Sequence, residues 1–540
     1  MKCTIPEISW HNRDPVLSID IQTAQKKPQS PEEEPFWRLA TGGADTHVLI
    51  WHLRVNELGA ASVSCVTDLD RHQKAVNVVR FSPSGEVLAT GDDESAIILW
   101  RQKEDSATTA ELPSSDDGNF QNKEQWAVWK VLRGHLEDIY DISWSPDSSF
   151  MVSGSVDNSA IVWDVQKGRS ISILQDYKGF VQGVSWDPLN QFISTLSTDR
   201  HCRLIDIKAM KTVQRVHKAV IPTPPGHPLE GQTVRLFHDD TFKSFFRRLT
   251  FTVDGSLIVA PSGIIEPQDS SQRASNATVV FSRHSLKEPI LILPSMDEST
   301  IAVRCCPVYF QLREEGPAAL FALPYRMIFA VATQKSVLIY DTQQIAPVAV
   351  VSNIHYTRLT DVAWSSDGRL LVVSSTDGYC SIIHFQEGEL GKIYTGDKTI
   401  PMRPPVPLQK STDIKLTSKG PSKGEPEKIL AEFDTDAMDI DITEKISSSQ
   451  KPEETVIKDN EAPPVSEETE DIKLVFEPNT CDVPPAEESG KVTPPKAEAG
   501  ESATKNTPPK ADVISVLSSR TPRRVKLITL SSPKRPKEDL

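Results

Sequence analysis

The chain has no run of 18 apolar residues, and its N-terminus lacks a charged stretch followed by an apolar core; neither a membrane span nor a secretory leader is expected. Its seven cysteines (Cys3, Cys65, Cys202, Cys305, Cys306, Cys380, Cys481) are odd in number and never spaced as CxxC. That pattern speaks for a reducing compartment and against both a disulfide framework and a zinc site. There is no phosphate-binding loop, no GxGxxG after a strand, no HExxH and no nucleophile elbow, so no cofactor or metal is expected. Excess positive charge is missing as well. With a net charge of −15, the chain is a poor candidate for general binding to DNA phosphates, which needs clustered Lys and Arg, and a better one for a basic partner; no direct sequence-specific DNA binding is expected.

Tryptophan is absent from the last 140 residues, where 19 of the 40 prolines fall among Lys, Glu, Ser and Thr. Such a composition buries too little apolar surface to offset its ordering entropy, so residues 391–511 are expected to be a disordered, Pro-rich acidic linker behind a folded body of residues 1–390. Residues 431–490 carry 18 acidic against 4 basic residues, and 520–537 carry seven basic residues and no acid. The acidic stretch could receive a basic partner or serve as a solvated spacer. Residues 512–540 are expected to hold a short basic binding motif and a candidate nuclear-import signal, Pro-Lys-Arg-Pro-Lys at 533–537.

What the body does contain is a repeat. The clearest unit runs from Gly134-His135 through DIYDISWSPDSS and FMVSGSVDNSAIVW to Trp163-Asp164, the Gly-His to Trp-Asp span of a WD repeat. Alternating apolar and polar residues mark the strands, and Ser-Pro-Asp or Asp-Asn mark the turns. His72 to Trp100, His135 to Trp163, Tyr177 to Ile205 and His355 to Ile383 are each 28 residues apart. An acid precedes the Trp position by six at Asp45 to Trp51, Asp157 to Trp163, Asp199 to Ile205 and Asp377 to Ile383, with Glu94 six before Trp100 in the second unit.

Two degenerate units, at 245–283 and 301–341, and a first unit from His11 to Trp51 bring the count to seven, with insertions at 22–36, 101–126, 207–241 and 311–324. The expected fold is all-β, a seven-bladed WD40 β-propeller. A four-stranded blade buries both faces only by stacking radially on its neighbours. The unpartnered N-terminal KCTIPEISW is expected to complete the last blade and close the ring.

His135, Ser153 and Asp157 supply the residue types of a hydrolase triad. A catalytic set occurs once, whereas a hydrogen-bond network inside each blade recurs, so these residues, with Trp163, His72, Trp100, Asp45 and Trp51, read as structural and the chain as no enzyme. Cys305-Cys306, in the apolar AVRCCPVYF, reads as a pair of small core residues. His47 and His52 flank Trp51 without enough converging ligands for a metal.

The stretches HQKAVNVVRFSPSGEVLATGDD, LRGHLEDIYDISW, FVQGVSWDP, FHDDTFKSFFRRLTFTVDGSL, VRCCPVYF, LIYDTQQIAPVAVVSNIHY and SSTDGYCSI closely resemble the WD40 middle subunit of chromatin assembly factor 1, over nearly all of residues 1–390. KSFFRRL, RCCPVYF and SNIHY are far more specific than the WD signature. The resemblance implies a nuclear, non-catalytic subunit of a three-subunit histone chaperone that deposits H3 and H4 on replicated or repaired DNA. Its implied partners are the large and small subunits, the anti-silencing-function histone chaperone, and H3 and H4 directly or through the complex, with no membrane. Alternative readings are a WD40 adaptor of a ubiquitin ligase, the related protein of replication-independent histone deposition, and a hydrolase.

In the tail, SSRTPRRVKLITLSS resembles the family's short motif for the anti-silencing-function chaperone at Arg523, Arg524, Val525, Leu527 and Leu530; Ile528 and Thr529 stand where the family pattern has Thr and Pro. Paired guanidiniums suit carboxylates, and Val525 and Leu527 alternate onto one face of an added strand, with 512–530 expected to fold into a hairpin on binding. Thr493, Thr507, Thr521 and Ser532 each precede Pro and are candidate phosphorylation sites; phosphate at Thr521 would sit beside the Arg pair.

Overall fold

A computed structural model describes residues 1–23, 35–103, 122–267, 274–295, 298–317, 319–398 and the backbone of 526–529. The body is a seven-bladed β-propeller. Blade one is Val16–Ile21, Trp37–Gly43, Val48–Val55 and Ala61–Leu69; blade two is Val76–Phe81, Val87–Asp92, Ala96–Gln102 and Trp126–Arg133. Blade three is Ile139–Trp144, Phe150–Ser155, Ala160–Asp164 and Arg169–Leu174; blade four is Val181–Trp186, Phe192–Ser197, Cys202–Asp206 and Lys211–Val216. The innermost strand of each blade packs on the innermost strand of the next, from blade one round to blade seven and back, so the ring is closed.

Period-two alternation explains why these strands form, and stacking explains why both of their faces are apolar. Val78, Ala89, Ile97 and Leu99 of blade two share a core with Ile139, Ile142, Met151, Ile161 and Trp163 of blade three. The same sandwiching of neighbouring blades recurs between blades one and two, three and four, and six and seven. At about 25 cal/mol per Å² of apolar area, these seams are the main stabilising term.

Blade five differs from the expected pattern. Residues 207–241 are no simple insertion: Lys211–Val216 is the outer strand of blade four, while Lys218–Val220 and Thr233–Phe237 form a hairpin that joins blade five. The long strand Leu257–Glu266 makes this possible. Its first half pairs with Thr250–Phe251 and its second half with Thr233–Phe237, with a break in register near Gly263, where a Cβ would collide with the Ala277 carbonyl. Ser275–Ser282 and Leu291–Ser295 complete the sheet.

Blade six is Thr300–Phe310, Arg326–Thr333, Ser336–Asp341 and Ala349–Ser352. Within the segment read as its insertion, Phe321 and Leu323 are buried in the core. Tyr340 fills the Trp position by stacking on Phe329, and Arg313 and Arg326 pair with Asp341. Blade seven is Leu359–Trp364, Leu370–Ser375 and Cys380–His384, and its fourth strand is the N-terminal Lys2–Thr4, paired antiparallel with Cys3 opposite Ile383.

The body does not stop at residue 390, where the linker was expected to start. The Gln311 N–H donates to Lys392 O at 2.8 Å, the Tyr394 N–H to Tyr309 O at 2.8 Å, and the Tyr394 ring packs on Tyr325. Rings and backbone pairing therefore hold the chain on blade six through the mid-390s. Residues 399–525 and 530–540 lie outside the described residues, and with them the disorder expected of the linker and the import signal.

Candidate docking site

Blades one, two and three build their networks from the same residue types. In blade three, His135 Nδ1 meets Asp157 at 2.9 Å, His135 Nε2 meets Ser153 Oγ at 2.7 Å, and Trp163 Nε1–H donates to the same Oγ at 2.8 Å. The Ser153 hydroxyl is thus fully buried and spent on two partners, leaving no approach for a substrate. Burial works to raise the Asp157 carboxyl, but hydrogen bonds from His135, Ser159 and the Leu136 N–H outweigh it and hold it down at about 2.

Blade one repeats the set with His11, Thr41, Asp45 and Trp51. In blade two, His72 bonds Thr90 at 2.7 Å, and Trp100 donates to Thr90 at 3.0 Å. The acid there is Asp92, at 2.6 Å from His72, and Glu94 contributes its backbone N–H, which donates to Asp92 at 3.0 Å. The spacing rule misleads at this blade because the acid comes from the last residue of the second strand, two residues before the turn position that Asp45 and Asp157 occupy in blades one and three. In blade four, Tyr177 stands in the His place and bonds Thr195 at 3.2 Å, Ile205 stands in the Trp place, and Asp199 pairs with Arg203 at 2.6 Å. In blade seven, Ser381 rather than a residue of the second strand bonds His355.

Of the remaining singled-out groups, Cys306 is buried, and burial pushes its thiol up to about 12; Cys305 is raised for the same reason, so neither is a ready nucleophile. His52 stacks on Phe36 and bonds Glu124, which Arg38 also holds; His47 bonds Asp68.

The axis of the ring carries a charged cluster that sequence reasoning missed. Asp361, fully buried on the inner strand of blade seven, takes Arg80 of blade two at 2.8 Å, Arg248 of blade five at 3.1 Å, and the Ser18 hydroxyl of blade one at 2.9 Å. Arg304 of blade six lies 3.9 Å away. Arg248 also donates to the carbonyls of Asn77, Thr360 and Leu17, spanning the axis to three other blades. Its neighbour Arg247 donates to Gln182 and to the His238 and Asp239 carbonyls. The KSFFRRL segment therefore sends the Arg248 guanidinium across the axis, while Arg247 ties blade five to blade four. A signal was available in the repeat frame: Asp141 and Asp361 each stand three residues before a Trp, in YDISW and TDVAW.

With Arg248 crossing the axis, the exposed ends of the blades are the candidate docking surface. The Leu136 N–H donates to Asp157, the Lys178 N–H to Asp199 and the Tyr356 N–H to Asp377, so these residues occupy equivalent places at one end of blades three, four and seven. Leu136 is 83% exposed, Tyr356 79% and Phe245 65%. Phe245 sits 6.0 Å from the Tyr140 ring, and around that pair lie Asp93, Glu137 and Asp138. Partial burial, then the charges of Asp93 and Glu137, push the Asp138 carboxyl up to about 6. Burial likewise raises Asp93, which Asn77 and Lys74 partly offset. Crowded carboxylates beside exposed rings favour a cation with apolar flanks, which is the chemistry of a basic peptide.

The tail motif is described only as backbone, and only in part. Lys526–Thr529, which includes Leu527, pairs antiparallel with Ala349–Ser352 at the outer edge of blade six. Its place is on the chain's own sheet, where the sequence suggested a strand shared with a partner. Arg523, Arg524, Val525 and Leu530, the candidate phosphorylation sites Thr493, Thr507, Thr521 and Ser532, and residues 512–525 of the expected hairpin lie outside the described residues.

Fold and site together define a class, a WD-repeat β-propeller that acts as a binding platform. The CAF1B/HIR1 beta-propeller domain family matches residues 1–390, and the chain belongs to that family. A chromatin assembly factor 1 subunit of Mus musculus is 47% identical over 434 residues, covering 78% of this chain and 73% of the relative. The corresponding chromatin assembly factor 1 subunit of Gallus gallus is 46% identical over 441 residues, covering 80% and 74%. Protein HIR1 of Yarrowia lipolytica is 27% identical over 405 residues, covering 67% of this chain and 36% of the relative.

Proposed function

We propose that the chain is the non-catalytic docking subunit of a three-subunit nuclear histone chaperone that deposits H3 and H4 on replicated or repaired DNA. In this role it bridges the large subunit and the anti-silencing-function chaperone, with the small subunit in the same complex. The observation that carries the reading is the face built from Asp93, Glu137, Asp138, Tyr140 and Phe245, whose charge and rings suit a basic partner, on a body whose His, Ser and Asp sets are consumed by internal bonds. The wide identity gap between the chromatin assembly factor 1 relatives and HIR1 supports the replication-coupled complex over replication-independent deposition. The tail residues Arg523, Arg524, Val525, Leu527 and Leu530 are assigned to the anti-silencing-function chaperone, with phosphate at Thr521 weakening that contact.

Affinity capture of the intact chain from replicating nuclei tests this. Recovery of the large subunit with H3 and H4 supports it; recovery of a cullin ligase without histones overturns it. Glu137→Gln with Asp138→Asn and Phe245→Ala should lower histone recovery at unchanged melting temperature. An Arg523→Ala, Arg524→Ala double variant should lose the anti-silencing-function chaperone while keeping the large subunit.

A further inference from the structure

The outer strands of a propeller are sheet edges, and edges exposed to solvent are usually guarded by charge, proline or brevity. Blades two, three and four follow this rule. Their outer strands read WAVWKVLR, RSISIL and KTVQRV, carrying Lys130 and Arg133, Arg169, and Lys211 and Arg215. Blade one has Asp68 in its outer strand, blade five has Pro294, and the short N-terminal strand on blade seven has Lys2. Blade six is the exception in charge and proline, and is guarded by brevity alone. Its outer strand is AVVS, with no charge and no proline, and two adjacent β-branched residues that favour strand pairing.

This least guarded edge is where the tail returns. The register sets Ser352 opposite Lys526, Val351 opposite Leu527, Val350 opposite Ile528 and Ala349 opposite Thr529. Two of the four residues, Ile528 and Thr529, are strand formers, and the pairing satisfies backbone groups that the blade otherwise leaves to water.

We propose that the outer edge of blade six is a strand-accepting docking surface whose resident in the free chain is its own segment Lys526–Thr529. The consequence rests on assigning 523–530 to the anti-silencing-function chaperone. A partner that captures this segment by strand addition needs the same backbone N–H and C=O groups, so partner and propeller compete for it. The resident strand is tethered, which raises its local concentration and lets a short pairing persist without an exceptional intrinsic affinity. Partner binding then uncovers the Ala349–Ser352 edge, leaving it open to a second uncharged, β-branched segment.

Hydrogen exchange of the full-length chain, read by mass spectrometry on peptides covering 349–352 and 526–529, tests the docking. Amides in 526–529 should exchange at least several-fold more slowly than in a synthetic 520–532 peptide. Val350→Lys, which places a charge on the half-buried edge residue and leaves the tail sequence intact, should abolish that protection at unchanged melting temperature. The same variant should bind the purified anti-silencing-function chaperone roughly three- to tenfold more tightly than the unmodified chain. Exchange of 526–529 at the free-peptide rate in the unmodified chain overturns the proposal, as does protection that survives Val350→Lys. If Arg523→Ala with Arg524→Ala leaves chaperone binding intact, the partner assignment fails while the exchange result still reports on the edge.

Discussion

Four other blades converge on Asp361, and replacing it by Asn tests whether the axis holds the ring together. Its carboxylate is fully buried, lies within ion-pair reach of Arg80 and Arg248, and accepts from the Ser18 hydroxyl and the Ile19 N–H. An amide keeps the shape and removes the charge, leaving buried guanidiniums short of a counter-ion; breaking such pairs typically costs about 3–5 kcal/mol. At roughly 2.1 cal/mol/K per residue, unfolding a body of about 390 residues carries an entropy near 0.8 kcal/mol/K, so the expected fall in Tm is roughly 4–6 °C.

The sign of the pH dependence gives a second readout. Burial works to raise the Asp361 carboxyl, but Arg248, Arg80 and Arg304 hold it well below the ordinary carboxylate range. A depressed folded-state value contributes stability above the unfolded pKa of about 3.9 and loses it as pH falls below that value, so the gap between wild type and Asp361→Asn should narrow under acid conditions. Urea unfolding of both proteins at pH 7.5 and pH 3.5 measures this. Pairing Asp361→Asn with Arg248→Met should cost less than the sum of the single changes, because the double variant removes opposite charges together. A Tm within a degree of wild type, or strict additivity, would refute the reasoning.

Deleting residues 1–10 removes the fourth strand of blade seven and exposes Cys380–His384 as an edge; a lower melting point and aggregation are expected in a thermal scan with light scattering. Trp163→Phe removes the indole donor to Ser153 and should cost about 1 kcal/mol, while His135→Ala strands Ser153 and Asp157 and should cost about 1–3 kcal/mol, both read by chemical denaturation. Gly183→Ala drives a Cβ into the Arg247 carbonyl and should destabilise the seam between blades four and five, again in denaturant. Because Asp138 is raised to about 6, its charge develops as pH climbs through that value; affinity for a basic peptide should be weaker at pH 5 than at pH 7.5 by titration calorimetry, and Asp138→Asn should flatten the difference.

The blades were legible where the hydrogen-bond network preserves its spacing. His72, His135, Tyr177 and His355 each stand 28 residues before the network's Trp or Ile, because turn lengths between those strands are fixed by the pairing itself. Blade five hid its architecture because one ten-residue strand serves two partners, and periodicity records only that a strand exists. The axial cluster was harder still. Arg248 and Asp361 are far apart in sequence, and a charged residue in a strand ordinarily reads as solvent-facing; only ring closure turns both inward. The acidic and aromatic face is assembled from Asp93, Asp138 and Phe245, on three different blades or their connections, and no local pattern joins them.

Closing blade seven with Lys2–Thr4 also sets an order on biosynthesis. At about 5–20 residues per second, roughly 20–80 s pass between emergence of the first residues and emergence of Cys380–His384. Throughout that interval the opening segment KCT has no partner, and the inner face of blade one lacks the blade that covers it. The chain therefore cannot finish its ring blade by blade as it is made. Its last step is a long-range joining of both ends, late and of high contact order, and this is the interval in which a nascent-chain chaperone would have most to shield.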